Sequence, residues 1–310
     1  MTAQPPVICV VGSSNIDLIS RVPRLPKLGE TLEGHSFHMG YGGKGANQAV
    51  MAAKLGARVT MVTKVGRDVF GEGTLKNYRE QGVDVTYVTF DDARFSGVAP
   101  IFVDDSARNF IVIVSGANLG LSTADAQAAR GVILAAGLLV CQLEVPVETT
   151  LEAFRIAKSG GVRTILNPAP AAPIPDELLR LTDICAPNET ETELLTGMPV
   201  QTPAEAAAQA LRARGPEVVI LTLGERGALL VDGAGIEHIP AVKVDAVDPT
   251  GAGDAFIGSL AVFLGEGLPL REAILRANAV AALSVTKIGT QVSFPRRPDA
   301  DTFLRTHGVA

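Results

Sequence analysis

The sequence predicts an α/β fold, with a mainly parallel central sheet flanked by helices and a small β-sheet lid beside it. Three observations predict it. Short apolar, β-branched runs alternate with segments of helical period along most of the chain, the rhythm of a parallel sheet covered by helices. Two stretches, 13–40 and 93–114, break that rhythm with prolines and short alternating runs. At 310 residues, 47% hydrophobic and 19% charged, the chain can bury a sizeable core. It also exceeds the usual ~100 to 200 residues of one domain, which fits a large domain with an appendage. The core is therefore assigned to 1–12, 41–92 and 115–310, and the lid to 13–40 and 93–114.

Taken in order, residues 7–11 read as a buried first strand ending at Gly12. Pro23 and Pro26 exclude a helix from the stretch that follows, which reads as an excursion of short strands. Asn15 and Asp17, two apart, share a face of an extended segment, although turn residues bonded to their own backbone would look the same. Gly42-Gly43-Lys44-Gly45-Ala46-Asn47 then opens a periodic apolar segment, a glycine-rich approach to a helix N-terminus at which Lys44 and Asn47 offer donors. A strand over 58–65 and a helix over 70–81 complete one βα unit. From 83 to 114 the runs VDVTYV, GVAPIFV and NFIVIV carry hairpin signals and, with 13–40, predict the accessory sheet. Strands and helices alternate again from residue 138, closing with helices over 253–264 and 270–285. Ligands of such sheets bind beyond the carboxyl ends of the strands. Asn15, Glu144, Asn188 and Gly224 each follow an apolar run within a few residues.

VDPTGAGDAF, residues 247–256, concentrates the chemistry. Gly251, Ala252 and Gly253 leave the backbone open, and the apolar residues that follow recur at helical spacing. A helix N-terminus reached in this way holds an anion through unpaired N–H groups and the positive end of its dipole. Asp254 stands beside that cradle, where a carboxylate can take a proton from a hydroxyl attacking a phosphoryl group. As plain structure, Asp254 is an N-cap and the glycines form a tight turn.

A net charge of −6 argues against a general nucleic-acid surface, so any phosphate site must be local. No apolar run reaches ~18 residues and no export signal is legible, so neither a membrane partner nor secretion is expected, and the cytoplasm is the expected compartment. Cys9, Cys141 and Cys185 lie far apart in apolar runs and read as buried reduced thiols. The four histidines form no ligand-spaced cluster with cysteine, and no structural zinc is expected.

In the order GGKGANQAV, QLEVP, LNPAPA, PNETE, LTLGERG and DPTGAGDAF, the sequence resembles the ribokinase family of sugar kinases over essentially its whole length. The resemblance implies that family's three-layer fold, with ATP as co-substrate and Mg²⁺ and K⁺ as cofactors. It also implies a sugar substrate and a homodimer formed through the lid sheets. It makes Asp254 the base, with the N–H groups of Ala252 to Asp254 stabilising charge on the transferred phosphoryl group and Gly251 belonging to the same catalytic set. Asn15, Asp17, Gly43, Lys44, Gly45, Asn47 and Glu144 match the positions that hold the sugar. Asn188 and Glu191 match the motif that positions Mg²⁺ through water, which suits a metal that dehydrates reluctantly. PNETE is equally a capped helix start. Thr222, Leu223, Gly224, Glu225, Arg226, Gly227 and Asn278 match the nucleotide pocket, though LGERG would also serve as a hairpin turn.

Asp248, Thr250, Ser284, Lys287, Gly289 and Ser293 match a K⁺ site, to which Lys287 can offer only its carbonyl. Pro249 departs from the family, many of whose members carry Thr there. It removes an N–H and keeps a carbonyl. The implied activity is phosphorylation of D-ribose at its 5-hydroxyl. The alternatives are a relative acting on fructose, a keto-deoxy sugar acid or a nucleoside, or a catalytically silent sugar-binding protein on the same fold.

Overall fold

The first strand, β1 (Val7–Val11), is buried on both faces. Ile8 and Val10 belong to one apolar cluster, Cys9 and Val11 to another. That is the signature of an interior strand in a helix-covered sheet. The computed structural model describes residues 4–106 and 108–309. After β1 come β2 (Asn15–Val22), β3 (Ser36–Gly42), α1 (Lys44–Lys54), β4 (Arg58–Gly66), α2 (Val69–Glu80), β5 (Val83–Asp91), β6 (Gly97–Asp104) and β7 (Asn109–Ile111). They are followed by α3 (Thr123–Ala128), α4 (Arg130–Ala135), β8 (Leu138–Cys141), α5 (Val147–Ser159), β9 (Arg163–Leu166), α6 (Asp176–Arg180), β10 (Ile184–Cys185), α7 (Glu189–Thr196) and α8 (Ala204–Arg212). The chain closes with β11 (Val218–Thr222), β12 (Ala228–Val231), β13 (Ile236–Ile239), α9 (Ala252–Gly265), α10 (Leu270–Ser284) and α11 (Arg297–Thr306).

Nine strands form one sheet in the order β13-β12-β11-β10-β9-β8-β1-β4-β5. Pairing is parallel from β11 to β5, and β12 and β13 are antiparallel. β1 lies between β8 and β4, so the chain leaves it in both directions. A crevice opens at the carboxyl ends at such a switch point. Four strands, in the order β3-β2-β6-β7, form the separate small sheet. The expected hairpin strand over 83–91 is instead β5, at the edge of the large sheet beside β4. Its alternation reflects an edge strand half-covered by α2. The small sheet takes its strands from 15–42 and 97–111, and β2 pairs β6 in parallel.

α9 is buried at every position from Asp254 to Leu264, as a helix apolar all round must be. Burying a large apolar side chain such as Phe263 contributes about 1.5–3 kcal/mol. α9 packs against both α1 and α10. The α1 contact depends on Gly258, where a Cβ would stand 2.7 Å from the Gln48 carbonyl oxygen and 2.8 Å from Met51 Cβ. Three helices went unread in the sequence. α3 and α4 have only six residues each, too few to display a period, and α11 is mostly polar. Burial pushes the Cys9 thiol up to about 12, and all three cysteines are free and buried.

Candidate active site

Two glycine-led helix starts meet at the crevice. Gly43 precedes α1 at φ 89° and Gly251 precedes α9 at φ 81°, and neither provides a side-chain cap. The first is packed tightly: a Cβ on Gly43 would lie 2.7 Å from Asn15 N, and one on Gly45 2.6 Å from Ser13 N. Only glycine allows α1 to approach the end of β1 this closely. At α9, the Ala252 N–H donates to the Pro249 carbonyl at 3.2 Å. Among the described residues, the N–H groups of Gly251, Gly253 and Asp254 have no protein acceptor, and those of Gly253 and Asp254 open the first turn of α9.

Asp254 is 7% exposed, in the first turn of α9. Asn47 Nδ2 donates to its Oδ2 and Gln48 Nε2 to its Oδ1, each at 2.9 Å. Two side-chain amides thus replace the water that a buried carboxylate would otherwise lose. Gln48 also donates to Asn167 Oδ1 at 3.1 Å and accepts from Gln142 Nε2 at 2.6 Å. Asn47 accepts from Gln291 Nε2 at 3.1 Å.

On the lid side, Ser13 Oγ donates to Glu144 Oε2 at 2.5 Å, and the Lys44 N–H donates to the same oxygen at 2.9 Å. Glu144, on the loop after β8, is thereby fixed to the start of α1. Asn118 accepts from Ser14 N at 2.8 Å and donates to Asn15 Oδ1 at 2.8 Å. With its oxygen occupied, Asn15 has its Nδ2 donors left for a ligand. Asp17 is raised to about 7 by burial and by the charges of Glu144 and Asp254. Lys44 lies amid the carboxylates. Burial acts to lower it, but Asp254, Glu144 and Glu191 together raise its ammonium above the ordinary lysine range.

Asn188 and Glu191 form a reciprocal cap on α7. Asn188 Oδ1 accepts the Glu191 N–H, and Glu191 Oε2 accepts the Asn188 N–H, each at 2.8 Å. Burial raises the Glu191 carboxyl. Asn188 pairs with Thr222 across a parallel bridge, so α7 starts beside the end of β11. From there a groove of about 1240 Å³ runs to α9, lined by Gly224, Glu225, Arg226, Pro240, Ala252 and Asn278 among others. Its size suits a nucleotide, and its far end is the α9 helix start. Thr222, Leu223 and Gly227 do not line it. The Leu223 N–H donates to the Gly227 carbonyl at 2.8 Å, a backbone hydrogen bond that closes the turn.

The 247–250 loop is fastened to the segment after α10. Val247 and Asp248 N–H groups both donate to the Val285 carbonyl. Asp248 accepts from Thr250 N at 3.0 Å and from Gly289 N at 2.9 Å. Ser284 and Ser293 are buried with their hydroxyls turned to the carbonyls of Ala281 and Thr290, and Lys287 is exposed. Lys54 Nζ donates to the Gln291 and Phe294 carbonyls at 2.5 and 3.1 Å. Burial, with Arg296 and Lys287, lowers that ammonium to about 8.

The structure thus gathers Asn15, Asp17, Lys44, Asn47, Glu144, Glu191 and Asp254 around one crevice. Ser13, Gln48, Asn118 and Gln291 join them without having been singled out in the sequence. Ser13 follows β1 directly, a position where site residues are expected. The three amides carry no comparable signal.

The model of the pfkB family carbohydrate kinases matches residues 6–297. Ribokinase of Mus musculus is 45% identical over 301 residues, covering 94% of this chain and 93% of that protein. Deoxyribokinase of Salmonella typhi is 46% identical over 300 residues, covering 96% and 98%. The structure of Arabidopsis thaliana ribokinase complexed with ribose and ATP superposes with a TM-score of 0.90 at 33% identity, covering 97% and 99%.

The Asp17 carboxyl supplies a pH signature. It titrates near 3.8 when unfolded and about 7 when folded, so between those values the folded state keeps a proton that the unfolded state has lost. Stability must fall as pH rises through that window and level off above it. Asp17→Asn, which cannot ionise, should raise Tm at pH 8 by at least about 2 °C over the unsubstituted protein. The difference should vanish towards pH 4. Thermal melts across pH 4–8 check this, and a pH-independent difference would refute it.

Proposed function

Because the chain belongs to the pfkB family of carbohydrate kinases, we propose that it transfers the γ-phosphoryl group of ATP to the 5-hydroxyl of D-ribose, giving ribose 5-phosphate and ADP. The observation that carries this reading is Asp254: a buried carboxylate, held by two amide donors, beside the open N–H groups at the start of α9. The sugar hydroxyl oxygen attacks the γ-phosphorus while its proton passes to Asp254. The bond to the bridging oxygen breaks, and its electron pair leaves on ADP. The Gly253 and Asp254 N–H groups and the Lys44 ammonium offset charge on the transferring group. A loose transition state needs little prior activation of the hydroxyl, so positioning dominates. Asn15, Asp17, Gly43, Lys44, Gly45, Asn47 and Glu144 hold the sugar, with residues 13–40 and 93–114 acting as the lid. ATP lies in the groove of Gly224 to Arg226 and Asn278.

A second reading is 2-deoxyribose as the preferred acceptor, favoured by the 46% identity to a deoxyribokinase. ADP release measured over a panel of pentoses, hexoses and nucleosides separates these sugars. Asp254→Asn should cut turnover with the preferred sugar by about 10² to 10⁴ while leaving the fold intact. Unimpaired turnover in that variant would overturn the base assignment.

Two cations fit the residues present. Among the described residues no three His, Cys, Asp or Glu side chains gather as a metal-binding set, and both Glu191 oxygens are engaged by Asn188. Asn188 and Glu191 therefore suit Mg²⁺ held through water and nucleotide phosphates. When bound, it neutralises charge on the β- and γ-phosphates. Carbonyls and hydroxyls of Thr250, Ser284, Lys287, Gly289 and Ser293, with the Asp248 carboxylate, suit a K⁺ ion at low net charge. Such an ion would stiffen the loop leading to Gly251 and act on kcat. Asp248 already fastens that loop, and Pro249 stiffens it, so activation should be modest. Turnover should vanish with EDTA and rise with potassium at constant ionic strength. A rate flat across potassium and sodium titrations would remove the K⁺ site.

Homodimerisation through the small sheet is supported by its exposed apolar residues, among them Phe37, Met39, Ile111 and Ile113. Such patches mark interaction surfaces. Sedimentation at micromolar concentration should give a dimer, and a monomer alone would count against it. Three buried free thiols suit a reducing compartment such as the cytoplasm. Among the described residues no helix is long and apolar enough to cross a membrane.

A further inference from the structure

Asp254 ends two arms of buried amides. In one, Asn77 Nδ2 donates to Gln291 Oε1 at 2.9 Å, Gln291 Nε2 to Asn47 Oδ1 at 3.1 Å, and Asn47 Nδ2 to Asp254 Oδ2 at 2.9 Å. In the other, Gln142 Nε2 donates to Gln48 Oε1 at 2.6 Å and Gln48 Nε2 to Asp254 Oδ1 at 2.9 Å. None of these five amides is more than 8% exposed. A chain of amides can run in either direction. An ionised carboxylate only accepts, so it selects the direction in which every N–H points towards it. Both arms run that way, and hydrogen bonds aligned in one sense polarise and strengthen one another.

The two arms differ in what anchors them. The Gln48 arm ends on the central sheet, at the residue after β8, and Gln48 is also bonded to Asn167 beyond β9. The Gln291 arm runs through a segment outside helix and strand, between α10 and α11, before it reaches Asn77 of α2. There Gln291 is gripped twice: Lys54 Nζ takes its carbonyl and Asn77 of α2 takes its side chain. We propose that Gln291 is a positioning residue for the phosphoryl-transfer reaction, setting through Asn47 the place and orientation of the Asp254 carboxylate. The proposal rests on the reading of Asp254 as the base. Gln291 does not touch the reacting atoms. It fixes which end of the Asn47 amide faces Asp254. If it ceases to donate, Asn47 is free to turn its oxygen towards the carboxylate, which repels the base from its place.

The test is directional. Gln291→Met keeps length and loses both hydrogen bonds. Gln291→Glu keeps size and the acceptor for Asn77, and loses only the donor to Asn47. Both should lower kcat about tenfold to a hundredfold, the scale of a misplaced catalytic group, with the KM for ATP within about twofold of its original value. In an Asn47→Ala background the arm is already cut, so adding Gln291→Met should change kcat by less than about twofold. A role in packing alone predicts the opposite, with normal kcat in Gln291→Glu and a full extra loss in the double variant. Either result overturns the proposal. If one Gln291 variant does not accumulate folded, the other carries the test. The underlying reading fails separately, if Asp254→Asn turns over normally. An inactive Asp254→Asn beside fully active Gln291 variants would remove only the role of Gln291.

Discussion

A carboxylate can be buried only where something replaces its water, and the architecture of this site follows from doing so at Asp254. Its two oxygens require donors from a second helix, so α1 and α9 must cross closely. The crossing in turn requires Gly258, where the Gln48 backbone sits. α1 must also begin at the end of β1, which requires Gly43 and Gly45. The glycines of the two motifs thus act on different problems: those before α1 admit backbone, and those before α9 leave N–H groups open.

Charge is handled collectively. Glu144, Glu191 and Asp254 act on one ammonium, that of Lys44, and Glu144 and Asp254 act also on the Asp17 carboxyl. Burial, with the neighbouring charges of Glu144 and Asp254, raises the Asp17 carboxyl to about 7. Glu144 Oε2 and both Asp254 oxygens accept N–H or O–H donors, whereas the carboxyl raised to about 7 sits on β2 of the small sheet.

The architecture was legible because each βα unit repeats a period that burial imposes, and the lid because prolines and alternating runs interrupt it. The glycine motifs were legible because positive φ and close backbone approach exclude other residues. Gln48 and Gln291 were not. Their partners lie 206 and 244 residues away in sequence, and an amide inside an apolar helix or a polar loop has no spacing that betrays a partner. The hairpin expected over 83–91 failed for a related reason. Alternation reports one covered face, and both a lid strand and the edge strand of a large sheet have one.

The lid's central pairing has a consequence for how the chain assembles. β2 and β6 run parallel, so no turn can join them, and the whole of α1, β4, α2 and β5 lies between. Between β2 and β6 the chain passes through β5, which pairs with β4 at the edge of the large sheet. Such a non-local closure carries a large loop entropy before any contact rewards it. During synthesis α9 emerges later still, so β2, β3 and α1 can be built before the helix start that carries Asp254 exists. On the proposed function, a ligand held by this earlier part of the chain would act on folding as well as on turnover.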